Sequence, residues 1–182
     1  GLLFAISYGA WPHSFRGLGL FEFIVWLLFL IGFVALAVYD LRWYLLPNKI
    51  VFPLTGLAVA QLVVIVVIDH SLFKLWMPIA GAAVIAGLFW CLYQVSSGRW
   101  IGGGDVKLAV TLGLLAGTPL RALMVIFFAS LIGTIVSIPQ LVRGREGLMR
   151  RIPFGPALLL ATVTVVLWGT PISTWYQGLV LR

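Results

Sequence analysis

The polar positions of this chain fall into narrow breaks between long apolar runs. Positions 18–39, 50–68, 75–95 and 122–142 are each almost entirely Leu, Ile, Val, Phe, Ala, Gly and Trp. Each run supplies the roughly 20 mostly apolar residues that a helix needs to cross a bilayer. Glu22 lies near one end of the first run, and Asp69-His70-Ser71 makes a polar turn after the second. Pro78 falls in the first turn of the third run, where proline is tolerated, and Pro139 is expected to kink the end of the fourth. Two segments are shorter: 106–117 is about half a span, and 154–168 is marginal. The tail 172–182, with Trp175 and Tyr176, reads as an interfacial segment or a frayed last turn. Residues 1–10 read as the end of a helix whose start is missing, so the chain is expected to be a fragment or trimmed at its N-terminus. The pattern predicts an all-α polytopic transmembrane bundle. It would have about six spans plus a partial N-terminal helix, forming a single membrane-embedded domain over residues 1–182.

Composition strengthens this reading. Apolar residues make up 62% of the chain and charged residues 9%, against roughly 45–50% and about 25% in soluble domains. A soluble fold of this size has no way to bury so much apolar surface, which makes lipid its solvent. The formal charge of +7 does not point to nucleic acid, because the basic residues are scattered through short loops rather than gathered in one arm or stripe. Positive-inside anchoring and anionic headgroups account for them. Cys91 is the sole cysteine, which excludes an intrachain disulfide and a multi-cysteine zinc site. It reads as a small buried hydrophobe. His13 and His70 read as loop residues.

Charge also orients the spans. If the first long helix runs inward, the inner loops carry Arg42, Lys49, Arg99, Lys107, Arg143, Arg145, Arg150 and Arg151, and the outer ones Arg16, Lys74, Arg121 and Arg182. The excess favours that direction. Asp40 follows the first full span and Asp105 comes two spans later. An even number of crossings returns the chain to the same side, so both aspartates are expected at the cytoplasmic face.

The acids then become the centre of interest, since the chain has only five. A carboxylate near a bilayer is costly and marks a functional hypothesis. Two carboxyls on one face are the minimum kit for acid–base hydrolysis. Gly102, Gly103 and Gly104 precede Asp105. Three glycines allow positive φ and close backbone approach, so a non-helical entry beside another helix is expected. Alternatively, Asp105 is simply the N-cap of the next helix, and Asp40 a helix-end residue pairing with Arg42. The run lacks the ending of a phosphate-binding loop. Gly113 and Gly117 form a small-xxx-small pair suited to packing helices within or between chains.

Taken together, Asp40 followed by Leu46-Pro47-Asn48, Gly102-Gly103-Gly104-Asp105-Val106-Lys107-Leu108, and Ile152-Pro153-Phe154-Gly155-Pro156 resemble the signature segments of type IV prepilin peptidases. These are membrane aspartyl proteases of the Gly-x-Gly-Asp group. The likeness runs from about Gly1 to Trp168, with Tyr39 a small departure where an aliphatic residue often stands. It implies that Asp40 and Asp105 are the catalytic pair. Gly102, Gly103, Gly104, Lys107, Pro47, Asn48, Pro153, Phe154, Gly155 and Pro156 would support the site or the substrate. It further implies a bacterial cytoplasmic-membrane enzyme with no metal or cofactor. The substrate would be a prepilin or pseudopilin, whose basic leader precedes an apolar helix. Many members also N-methylate the new terminus and carry a cytoplasmic domain with paired cysteines, and this chain contains neither that domain nor its cysteines.

Two carboxyls held close share one proton, because the second charge is repelled by the first. One can take a proton from water while the other donates to the scissile carbonyl. Arg42, Lys49 and Lys107 flank the aspartates, either tuning their charge or serving as lipid anchors. A presenilin or signal-peptide-peptidase type of enzyme, with deeper aspartates, is the nearest alternative. A small proton-coupled transporter is the non-enzymatic one.

Overall fold

The computed structural model describes residues 1–142 and 153–180. Seven helices follow one another there: α1 (Leu2–Gly9), α2 (Leu18–Trp43), α3 (Asn48–Asp69), α4 (Phe73–Ser96), α5 (Gly103–Ala116), α6 (Pro119–Val142) and α7 (Gly155–Val180). The all-helical expectation holds. Among the described residues five helices, α2, α3, α4, α6 and α7, are long and apolar enough to cross a membrane, so the chain is a multi-pass membrane protein.

The sixth expected span is α5. Its 14 residues reach about 21 Å at 1.5 Å per residue, some two thirds of the hydrocarbon thickness. It sits inside the bundle, packed on α3, α4, α6 and α7, with Leu108, Ala109, Leu112 and Ala116 almost wholly buried. Close approach explains its position. A Cβ on Gly113 would stand 2.3 Å from Ala82 Cα, so only glycine lets α5 lie against α4 there. Gly117 does something else: it is the left-handed C-cap of α5, at φ 76°, and a Cβ on it would touch nothing. The Thr55 and Thr111 hydroxyls lie 2.7 Å apart and tie α3 to the same helix.

The C-terminal expectation is corrected. Residues Gly155–Val180 form one 26-residue helix that continues through Pro171 and takes in the described part of the tail. The Ser173 and Thr174 hydroxyls donate to the carbonyls of Thr170 and Pro171 one turn back, satisfying themselves on their own helix. Pro78 lies inside α4, not in its first turn, because that helix starts at Phe73. The helix α6 runs past Pro139 to Val142. Cys91 is exposed on α4, not buried, on a surface where a bilayer rather than a protein core is the apolar neighbour. Arg143, Arg145, Arg150, Arg151, Ile152 and Arg182 lie outside the described residues.

The inward faces carry both aspartates. On α2 the buried residues are Phe23, Trp26, Phe29, Leu30, Phe33 and Leu36, and Asp40 continues that stripe one turn on, 6% exposed. On α5, Asp105 precedes Leu108, Ala109 and Leu112 at the same helical spacing. Outward positions such as Ile24, Ile31, Val63 and Phe127 are equally apolar and exposed.

Candidate active site

Asp40 lies within a turn of the C-terminal end of α2, which stops at Tyr44 in the left-handed conformation. Its Oδ2 accepts the backbone N–H of Gly155 at 3.0 Å. Gly155 opens α7, so that N–H is one of the helix's unpaired donors, and the positive end of the helix faces the carboxylate. A Cβ on Gly155 would sit 2.5 Å from Oδ2 and 3.1 Å from Cγ of Asp40. Glycine is therefore what allows the contact. Pro156 follows in the first turn, where its missing N–H costs nothing.

Asp105 is the third residue of α5, not its N-cap; Gly102 holds the cap position with φ −72°. Neither Gly102, Gly103 nor Gly104 has positive φ, and Gly103 and Gly104 are already helical. The expected non-helical entry does not occur. What the glycines supply is proximity: a Cβ on Gly104 would meet Leu46 Cβ at 3.0 Å, and one on Gly102 would lie 3.4 Å from Asp105 Oδ2. Gly103 has only ordinary contact with Tyr93. Asp105 lies outside the five spans and is partly buried. Burial, then the nearby Asp40 charge, push its carboxyl up from 3.8 to about 6, against the opposing pull of the Gly102 backbone hydrogen bond.

Both aspartates line one cavity of about 470 Å³, with Tyr44, Arg99, Trp100, Pro153 and Phe154 around them. Neither makes an ion pair among the described residues. The alternative of Asp40 pairing with Arg42 is not realised, since the Arg42 guanidinium lies over the Trp43 ring, 5.2 Å from its centroid. The described residues hold no group of three or more His, Cys, Asp or Glu suited to a metal ion. Chemically the arrangement offers two carboxyls lining one cavity, with Asp40 steadied by a backbone N–H. It is suited to passing protons to and from a bound water and a carbonyl.

The remaining sequence-flagged residues divide into two groups. Pro153, Phe154 and Gly155 border the cavity or the carboxylate. Pro47, Asn48 and Lys107 stand outside it: Pro47 caps α3, and Lys107 Nζ donates to Asn48 Oδ1 at 3.1 Å, near the Phe52 ring. With Leu46 against Gly104, they brace α3 on α5 behind the site. The sequence reasoning missed Tyr44, Arg99 and Trp100 as cavity residues. Two left-handed residues, Ser97 and Gly98, swing the chain after α4 so that Arg99 faces the aspartates, while its Nε donates to the Ser96 carbonyl at 3.2 Å. Gly98 in a polar break was the available signal. At the far end of the bundle, His13 is not merely a loop residue: its Nδ1 lies 3.8 Å from Glu22 Oε2.

The sequence profile of the Type IV leader peptidase family matches residues 27–138. A protein of Aeromonas salmonicida named prepilin leader peptidase/N-methyltransferase is 32% identical over 151 residues, covering 81% of this chain and 50% of that protein. Proteins of the same name from Bacillus subtilis and Pseudomonas aeruginosa are 31% and 29% identical, over 81% and 93% of this chain and 57% of each relative. The chain thus spans about half the length of the curated relatives it matches. No solved structure gives a significant match.

Proposed function

The chain belongs to the type IV leader peptidase family, and we propose that it is a membrane aspartyl endopeptidase that removes the leader of type IV prepilins or pseudopilins. Asp40 and Asp105 are its catalytic pair, and residues 1–182 act as one peptidase domain. The observation that carries this reading is the shared cavity: two acids from different helices turned inward onto one polar space. Such a placement is hard to explain as helix capping alone.

Asp105, which holds its proton up to about pH 6, is the acid that protonates the scissile carbonyl oxygen. Asp40, steadied by the Gly155 N–H, is the base that takes a proton from the attacking water. The roles reverse as the tetrahedral intermediate collapses and the amine leaves with a proton. Aspartates within a turn of their helix ends suit cleavage at a membrane face better than the mid-span cut of a presenilin-type enzyme. The basic residues Arg42, Lys49, Arg99 and Lys107 around that end favour the cytoplasmic face of the inner membrane.

The test is leader removal from a prepilin co-expressed in membranes, followed by gel shift. Asp40→Asn and Asp105→Asn are each expected to slow processing by at least roughly 100-fold. Normal processing by either variant would sink the dyad.

A further inference from the structure

The second cavity at the aspartate end has no part in the chemistry above. It is a groove of about 570 Å³ between α4 and α6, and it shares two residues, Trp100 and Phe154, with the aspartate cavity. The groove opens onto the membrane-facing side of the bundle, and the shared pair forms the boundary between the two spaces. Phe154 is held there by Phe89, with ring centroids 6.2 Å apart, and by Gly133, where a Cβ would stand 3.3 Å from the Phe154 ring.

The α6 wall is unusual for a surface facing lipid. Ser130, Gly133, Thr134 and Ser137 fall on one helical face, where a lipid-facing helix needs only bulky aliphatics. Two of the three hydroxyls are turned back onto the helix: Thr134 donates to the Ser130 carbonyl at 2.8 Å and Ser137 to the Gly133 carbonyl at 2.5 Å. Such a wall of small residues, with Thr134 and Ser137 satisfied on their own helix, lets another helix backbone come close. Ile126 to Ser137 rises about 16 Å, half a membrane's hydrocarbon thickness. The other membrane-side groove, lined by Phe127, Ile172 and Trp175, shares no residue with the aspartate cavity.

Resting on the peptidase reading, we propose that the α4–α6 groove is the docking track for the substrate's apolar helix. The helix lies along Gly133, Thr134 and Ser137 in the half of the membrane nearest the aspartates. Its N-terminal end passes between Trp100 and Phe154 into the catalytic cavity. A helical peptide bond has its carbonyl and N–H tied to neighbouring turns. The residues that pass the boundary are therefore unwound, which presents the scissile carbonyl to Asp40 and Asp105. Phe154 thus links two tasks: it precedes the Gly155 N–H that holds Asp40, and it walls the track.

Site-directed crosslinking tests this with the full chain. Cys91 is first replaced by serine, and single cysteines are placed at Thr134, at Ser137 and at Ile135, which is exposed on the other face of α6. Each is combined with Asp105→Asn and co-expressed with a prepilin carrying one cysteine in the cytoplasmic half of its apolar helix. Crosslinks are expected at Thr134 and Ser137 in roughly tenfold excess over Ile135, and Thr134→Trp with both aspartates present should raise KM for the prepilin far more than it lowers kcat. Crosslinks no stronger than those at Ile135, as for a groove filled only by lipid, would overturn the track, and so would an unchanged KM. Cleavage by the Cys91→Ser parent reports on the peptidase reading separately. A parent that processes prepilin without crosslinks at Thr134 or Ser137 defeats the track alone. A parent that leaves prepilin uncut while crosslinks form supports the track and defeats the chemistry.

Discussion

Asp40 and Gly155 make a contact that depends on a missing methyl group. Adding one by Gly155→Ala sets a carbon 2.5 Å from Oδ2, so the carboxylate must turn away or α7 must retreat, and the N–H contact is lost. Hydrogen bonds to charged groups contribute about 1.5–3 kcal/mol, so turnover is expected to fall roughly 10- to 100-fold while helical circular dichroism is retained. Near-normal turnover would mean that the contact does not position Asp40. Asp105 makes a separate prediction. Its carboxyl binds a proton more tightly in the folded chain, at about 6, than at its ordinary 3.8. Between those values the folded state holds more protons than the unfolded state, so stability falls as pH rises through that window and stays lower above it. Asp105→Asn removes this penalty. Its Tm in detergent should exceed the parent's near about pH 7.5, with the gap closing toward about pH 4; a gap that does not vary with pH contradicts the assignment. Both acids could be picked out from the sequence because charge is rare in a lipid-solvated chain. Arg99 and Tyr44 could not, since their approach depends on left-handed turns at Ser97, Gly98 and Tyr44 itself.

At the level of the helices, α5 gives the sharpest test. Its contact with α4 depends on the missing side chain of Gly113, where an added Cβ would stand 2.3 Å from Ala82 Cα. Gly113→Leu must separate the two helices, at about 1–3 kcal/mol or more for overpacking. The expected readout is a lower Tm together with lost processing, because Asp105 rides on α5. Gly87, on α4 with nothing within 4 Å of a Cβ, is the contrasting site: Gly87→Ala should be neutral or stabilising by up to about 1 kcal/mol. Equal behaviour of the two variants in thermal unfolding would refute the packing argument. The long runs placed four spans within a few residues of their structural limits. The ends were harder to read, because a marginal segment at 154–168 and an aromatic tail do not reveal the one helix that runs through Pro171, and because the shortness of α5 reads alike whether it lies inside a bundle or at its edge.

For the whole molecule, the prediction concerns direction. Single cysteines in the Cys91→Ser background at Arg42 and Lys49 should react with membrane-impermeant maleimide only after cells are opened. Those at Arg16 and Lys74 should react in intact cells. The reverse pattern would put the aspartate cavity on the outer face and remove it from a cytoplasmic leader junction.

Sequence alone determined that this chain dissolves in lipid, where four of its long helices run, which two acids share an end, and which family it resembles. Those conclusions rest on contrasts that survive without a structure: apolar length against bilayer thickness, and charge against hydrocarbon. Tertiary structure decided which face of each helix turns inward. It also made α5 the buried centre, set Gly155 against Asp40, and joined a membrane-side groove to the aspartate cavity through Trp100 and Phe154. Lipid tails and a protein interior are equally apolar, so hydropathy gives a spanning helix no inside and outside. Only the rare charges and the glycines that permit close approach carry that information, and they are read only once their neighbours are in place.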